Sequence, residues 1–77
     1  MNKKEYTINE RKTLKTIGER IRYHRLKQNI SQEELSYQSS LDRAFVGRVE
    51  RGENNISILS LLKISQVLGI EISALLR

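Results

Sequence analysis

Neither cysteine nor proline occurs in this chain, and its 77 residues include only four glycines. Without cysteine there is no disulfide framework and no thiolate metal site. Stability must therefore come from side-chain packing, with self-association as a second source. Without proline, and with so little glycine, sheet turns are poorly supplied, so the expected fold is all-α. Tryptophan is absent, and one Phe and three Tyr make no stacking platform for a non-specific single-strand binder. A single histidine, with no clustered carboxylates and no glycine-rich phosphate loop, leaves nothing to carry catalysis. The expectation is a protein that is not an enzyme and needs neither cofactor nor metal. No apolar run approaches the roughly 20 residues needed to cross a bilayer. The opening MNKKEYTINERK also lacks the apolar core of a signal peptide. A cytoplasmic protein of bacterial or phage type, built as one small domain, is the simplest reading.

The charge that is present is unevenly placed. The net charge is +5, yet residues 1–30 carry +6 and residues 31–77 carry −1. A basic balance suits a polyanionic partner but does not identify one. Lys3, Lys4, Lys12 and Lys15 have two readings, a solvated helix face or a field that attracts nucleic acid. Thr7 followed by Glu10 has the form of a capping box, which predicts a first helix from about Ile8 to about Gln28. Gly18 is a place where an N-terminal extension could part from the helix proper. We therefore divide the chain into an arm or helix extension, residues 1–13, and a domain, residues 14–77. Leu14, Ile17 and Ile21 recur at helical spacing as a core stripe, and His24 continues it as a partly buried packing residue.

The chain is organised around QEELSYQSSLDRAFVGRVERG, Gln32 to Gly52. Ser31 and Glu34 form an S-x-x-E signature ahead of a short helix ending near Gln38. Ser39-Ser40-Leu41 breaks the pattern, and Asp42 caps a second helix that Gly52 ends. Val46 and Val49 form its inner face, while Arg43, Ala44, Gly47, Arg48 and Arg51 fall elsewhere. Two such helices joined by so tight a turn make a helix-turn-helix, whose second helix enters the DNA major groove.

Asn29 and Ile30 lead into this unit, the first as a left-handed helix stop and the second as a core plug. A polar loop, Glu53 to Ile56, leaves it. Ser57 caps a fourth helix running to Leu68, and a last short helix spans Ser73 to about Leu76. Ile58, Leu61, Leu62, Ile64, Val67 and Leu68 nearly encircle the fourth helix. One reading fills a monomer core with these aliphatics. The other builds a two-fold seam from Val67, Ile70, Ile72, Leu75 and Leu76, so that a dimer reads half-sites roughly 34 Å apart.

Residues 14–76 resemble the lambda-repressor-like (XRE) helix-turn-helix family. The landmarks are S-Q-E-E-L at Ser31 to Leu35, E-R-G at Glu50 to Gly52 and L-x-K-I-x-x-x-L-G from Leu61 to Gly69. S-S-L-D-R at Ser39 to Arg43 and E-R-G-x-x-N-x-S from Glu50 to Ser57 look most like restriction–modification controller proteins. The resemblance implies a compact five-helix domain and a homodimeric, sequence-specific regulator that binds palindromic sites on double-stranded DNA. It implies operators upstream of its own gene and a linked endonuclease gene, activating at low occupancy and repressing at high. Small stand-alone controllers of this kind suit a chain of 77 residues.

Residue by residue, the resemblance places Arg43, Ala44 and Arg48 at base edges. It places Gln32, Arg51, Asn54, Asn55 and Ser57 at phosphates or the groove edge, although the two asparagines can equally be loop formers. It also implies a buried ion pair between Arg25 and Glu50. Activation would need a surface for RNA polymerase. Glu33 is the candidate, its other reading being an ordinary acid in the first helical turn. Three departures stand out: Ser40 where the family often has glycine, His24 where many members are aliphatic, and Gly47 within the reading helix. Gly47 either costs helix propensity or allows close approach to DNA. The alternatives are a generic or phage-type XRE repressor, and an antitoxin-like module whose apolar C-terminal surface masks a partner protein.

Overall fold

In a computed structural model that describes residues 5–77, the first helix opens on Thr7. The Thr7 hydroxyl accepts from the Glu10 amide at 3.0 Å, and the Glu10 carboxylate accepts from the Thr7 amide at 2.9 Å. This closed box starts α1, Ile8–Lys27, which runs without interruption through residue 13 and Gly18. Gly18 therefore marks no break. It is buried where α1 crosses the end of the reading helix, and a Cβ there would stand 2.4 Å from the Val49 carbonyl oxygen. The readings of Lys3 and Lys4, and of the arm's first four residues, lie outside the described residues.

Asn29 takes a left-handed φ of 59° and turns the chain toward α2, Gln32–Ser39. The Ser31 hydroxyl caps α2 by accepting from the Glu34 amide at 2.9 Å. The box is only half made, because the Glu34 carboxylate accepts instead from Gln38, one turn further on. The helix extends one residue past Gln38, ending at Ser39. Ser40 then stands at φ 58°, the left-handed cap that the turn requires, and the Leu41 amide returns to the Ser36 carbonyl at 2.9 Å. Asp42 caps α3, Arg43–Glu50, through the Phe45 amide at 3.1 Å. Gly52, at φ 76°, stops it. Ser57 caps α4, Ile58–Leu68, and Gly69 ends it at φ 69°, before the four-residue α5, Ser73–Leu76.

The five helices close on one core: Ile17, Ile21, Leu35, Val46, Val49, Leu61, Ile64, Leu68 and Leu75. Ile30, Leu41, Phe45, Ile56, Val67, Ile70 and Ile72 pack around it, half-buried. Leu14 and His24 sit at the margin, His24 edge-on to the Tyr23 ring. Leu75 has no exposed surface. Its expected place in a dimer seam is thus corrected: α5 packs on α1, and Leu75 completes the core of its own chain. The apolar excess emerges elsewhere, on the first half of α4, where Ile58, Leu59 and Leu62 are 61%, 68% and 38% exposed. Among the described residues no helix is long and apolar enough to cross a membrane.

Candidate nucleic-acid interface

The second helix of the helix-turn-helix has one face locked and one face free. Val46 and Val49 sink into the core, and Glu50 ties the helix end to α1. Arg25 Nε donates to Glu50 Oε2 at 2.7 Å, and Arg25 Nη2 donates to Oε1 at 3.0 Å. The same guanidinium donates to the Ile30 carbonyl at 2.9 Å, and Gln32 Nε2 donates to Glu50 Oε1 at 2.9 Å. This network joins the end of α1, the start of α2 and the end of α3. No buried side-chain polar atom among the described residues lacks a partner. A planar, bidentate arginine–carboxylate pair fixes orientation better than a lysine could.

The other face of α3 is turned outward. Arg43 and Ala44 are exposed at its first turn. Arg48 is half-buried, and in the amide orientation that satisfies both groups its Nε donates to the Asn54 side-chain oxygen at 3.0 Å. Gly47 is buried beneath two side chains: a Cβ there would lie 3.4 Å from Arg51 Nη1 and from Gln32 Oε1. The far ends of Gln32 and Arg51 therefore lie over this turn of α3. Arg51, beyond the helix, forms an exposed two-pronged pair with Glu53, at 2.9 and 3.3 Å. Hydrogen bonding and charge together raise the arginine's pKa and lower the carboxylate's. The Asn55 side chain accepts from the Ile56 amide, and Ser57 is spent on capping α4.

A cleft of about 360 Å³ lies between α1, the start of α2 and the end of α3, lined by Lys15, Glu19, Arg22, Gln32, Glu50 and Arg51. The unpaired amides at the start of α2 add the positive end of a helix dipole on this side. Three cations and a helix start on one side of an outward-facing helix suit a phosphate backbone. The helix-turn-helix family model matches residues 21–75, which contain all of this except Lys15 and Glu19. The chain belongs to the XRE-like helix-turn-helix family. Its members are DNA-binding transcriptional regulators, not enzymes.

This helix-turn-helix chain is 40% identical over 56 residues to control protein C.BamHI of Bacillus amyloliquefaciens, covering 71% of this chain and 69% of that protein. The solved restriction-modification controller protein C.AhdI from Aeromonas hydrophila superposes with a TM-score of 0.79 at 44% identity, over 80% of this chain and 94% of that one. SinR, a master regulator for biofilm formation solved in complex with DNA, superposes with a TM-score of 0.77 at 32% identity, over 79% of this chain and 98% of that one.

Sequence reasoning did not find Glu53 as the partner of Arg51. An acid three residues beyond a helix end has no fixed direction until the loop is built. It also left Arg11 and Arg22 unremarked, although their helical spacing from Lys15 was available to find them.

Proposed function

We propose that this protein is the controller of a restriction–modification system. It acts in the cytoplasm as a homodimer on palindromic operators in double-stranded DNA. The observation that carries the reading is an α3 whose inner face is locked by the Arg25–Glu50 pair while Arg43 and Ala44 stand exposed at its start. Arg43, Ala44 and Arg48 read base edges. An arginine grips guanine O6 and N7 with two parallel bonds, discriminating by roughly 1–3 kcal/mol per base pair. Gln32, Arg51, Asn54, Asn55 and Ser57 set the register on phosphates or at the groove edge. Similarity to C.BamHI and C.AhdI supports the controller assignment over a phage-type repressor.

The homodimer uses the apolar surface that a single chain leaves open: Ile58, Leu59 and Leu62 on α4, Leu76 on α5, and the exposed edges of Val67, Ile70 and Ile72. In this dimer the second chain covers Leu76 and the exposed edges of Ile70 and Ile72, which argues against an antitoxin-like masking role. Glu33, exposed in the first turn of α2, is the residue offered to RNA polymerase.

The test is selection from a randomised palindromic duplex library, followed by titration of wild type and Arg43→Ala. Wild type should enrich one palindrome, and Arg43→Ala should relax a single symmetric pair of positions. Enrichment of no sequence would sink the regulator reading.

A further inference from the structure

On α1 the positions 11, 15, 18 and 22 fall on one face, at spacings of four, seven and eleven residues. Gly18 is the crossing point of that face over the end of α3, its added Cβ lying 2.4 and 2.5 Å from the Val49 and Glu50 carbonyl oxygens. Around it stand Arg11, Lys15 and Arg22, all exposed. None of the three makes an ion pair among the described residues, where the pairs are Arg25–Glu50 and Arg51–Glu53. Lys15 and Arg22 line the cleft that also holds Gln32 and Arg51. Arg11 continues the row one turn beyond it. Glu19 and Glu50 are the acids lining this cleft, and Glu50 is already paired with Arg25, so the row keeps a surplus of positive charge.

Two further observations place the start of α1 beside the loop between α3 and α4. A Cβ on Gly52 would come within 2.9 Å of the Lys15 Cα, so the loop's first turn lies directly against α1. A second hollow, about 300 Å³, brings Asn55 together with Tyr6, Asn9, Glu10, Thr13 and Leu14. The helix extension is therefore docked on the loop that follows the reading helix. Arg11 and Lys15 both lie N-terminal to the matched family segment, which begins at residue 21.

We infer that Arg11, Lys15 and Arg22 form a phosphate-docking ridge, so that α1 widens the footprint on duplex DNA beyond the helix-turn-helix. The inference rests on the DNA-binding reading above. Unpaired, regularly spaced cations beside the cleft that holds Gln32 and Arg51 meet a backbone carrying one negative charge per roughly 1.7 Å of duplex. The ridge binds phosphate and reads no bases. It adds affinity equally to all sequences and makes binding more sensitive to salt.

The experiment titrates the selected palindrome, and a scrambled duplex of equal length, at several salt concentrations. It compares wild type, the double variant Arg11→Gln/Lys15→Gln, and Lys63→Gln/Arg77→Gln, which removes the same charge from exposed sites that are not part of the ridge. Loss of two phosphate contacts should reduce the slope of log affinity against log salt by about two. Affinity near 0.1 M salt should fall roughly tenfold on both duplexes, with the preferred sequence unchanged. The Lys63/Arg77 variant should keep the wild-type slope. The ridge is overturned if the Arg11/Lys15 variant keeps the wild-type slope, or if both double variants lose the same amount. If wild type shows no sequence preference but the slope still falls by two, the ridge stands and the regulator reading fails. If wild type binds no duplex, both fail.

Discussion

Gly18 and Gly47 are both helical glycines, and the structure asks opposite things of them. At Gly18 an added methyl would meet the backbone carbonyls of Val49 and Glu50, which cannot swing aside. Gly18→Ala should force α1 off α3 and cost about 1–3 kcal/mol, as overpacking does. At Gly47 the nearest atoms, at 3.4 Å, are the far ends of the Arg51 and Gln32 side chains, which yield easily. Gly47→Ala should gain helix propensity and stabilise the fold by roughly 0.5–1 kcal/mol. Denaturant midpoints of the two variants, moving in opposite directions from wild type, would check the pair of assignments. Arg51 poses a different question, because Glu53 already occupies the guanidinium that is to meet a phosphate. Glu53→Gln should release it, raise DNA affinity several-fold and steepen the salt dependence by about one contact. Acid should act in the same direction. The Glu53 pKa is lowered by its partner, so the pair persists through neutral pH and is lost only as pH falls through that lowered value. An anisotropy titration of E53Q in which affinity is unchanged or weaker would show that the pair does not compete with DNA.

At the scale of the element, α3 is held by one buried polar network and one apolar stripe. Removing one member of the Arg25–Glu50 pair leaves the other charged and desolvated, so Arg25→Ala should cost about 3–5 kcal/mol. The loss should appear in thermal unfolding without any DNA present. Helix ends in this fold were legible because the chemistry that sets them is local. Thr7, Ser31, Asp42 and Ser57 each cap the helix they precede, and Asn29, Gly52 and Gly69 turn the chain after it. Ser40 was legible as a departure, and it does take the left-handed backbone that glycine would take more cheaply. Gly18 was not legible, because its meaning lies in the carbonyls of a helix thirty residues away. The direction in which a helix with apolar residues nearly all round turns its surplus was not legible either. Leu75 and Leu59 are equally apolar in sequence, yet one is sealed and the other 68% exposed. Only the docking of α5 on α1 separates them.

As a whole molecule, one chain is too small to read an operator alone. Eight residues of α3 span roughly 12 Å at 1.5 Å per residue, about a third of a DNA turn. A two-fold pair sets its reading helices roughly 34 Å apart on one side of the duplex. The chain's own longest dimension is also 34 Å, so the proposed dimer would keep this spacing only with a seam closer to α3 than the far end of the chain. The first half of α4, which the loop 51–57 joins to α3, carries exposed Ile58, Leu59 and Leu62 and is the candidate for that seam. Ile58 and Leu59 are 61% and 68% exposed and contribute little to the monomer core, so Ile58→Ser with Leu59→Ser should leave the chain folded. The double variant should sediment as a monomer at concentrations where wild type is a dimer. It should also lose affinity for a two-half-site palindrome while binding a single half-site as wild type does. If this variant remains dimeric and Leu76→Ser dissociates instead, the seam belongs to α5. The two reading helices would then be spaced by the C-terminal end of the fold.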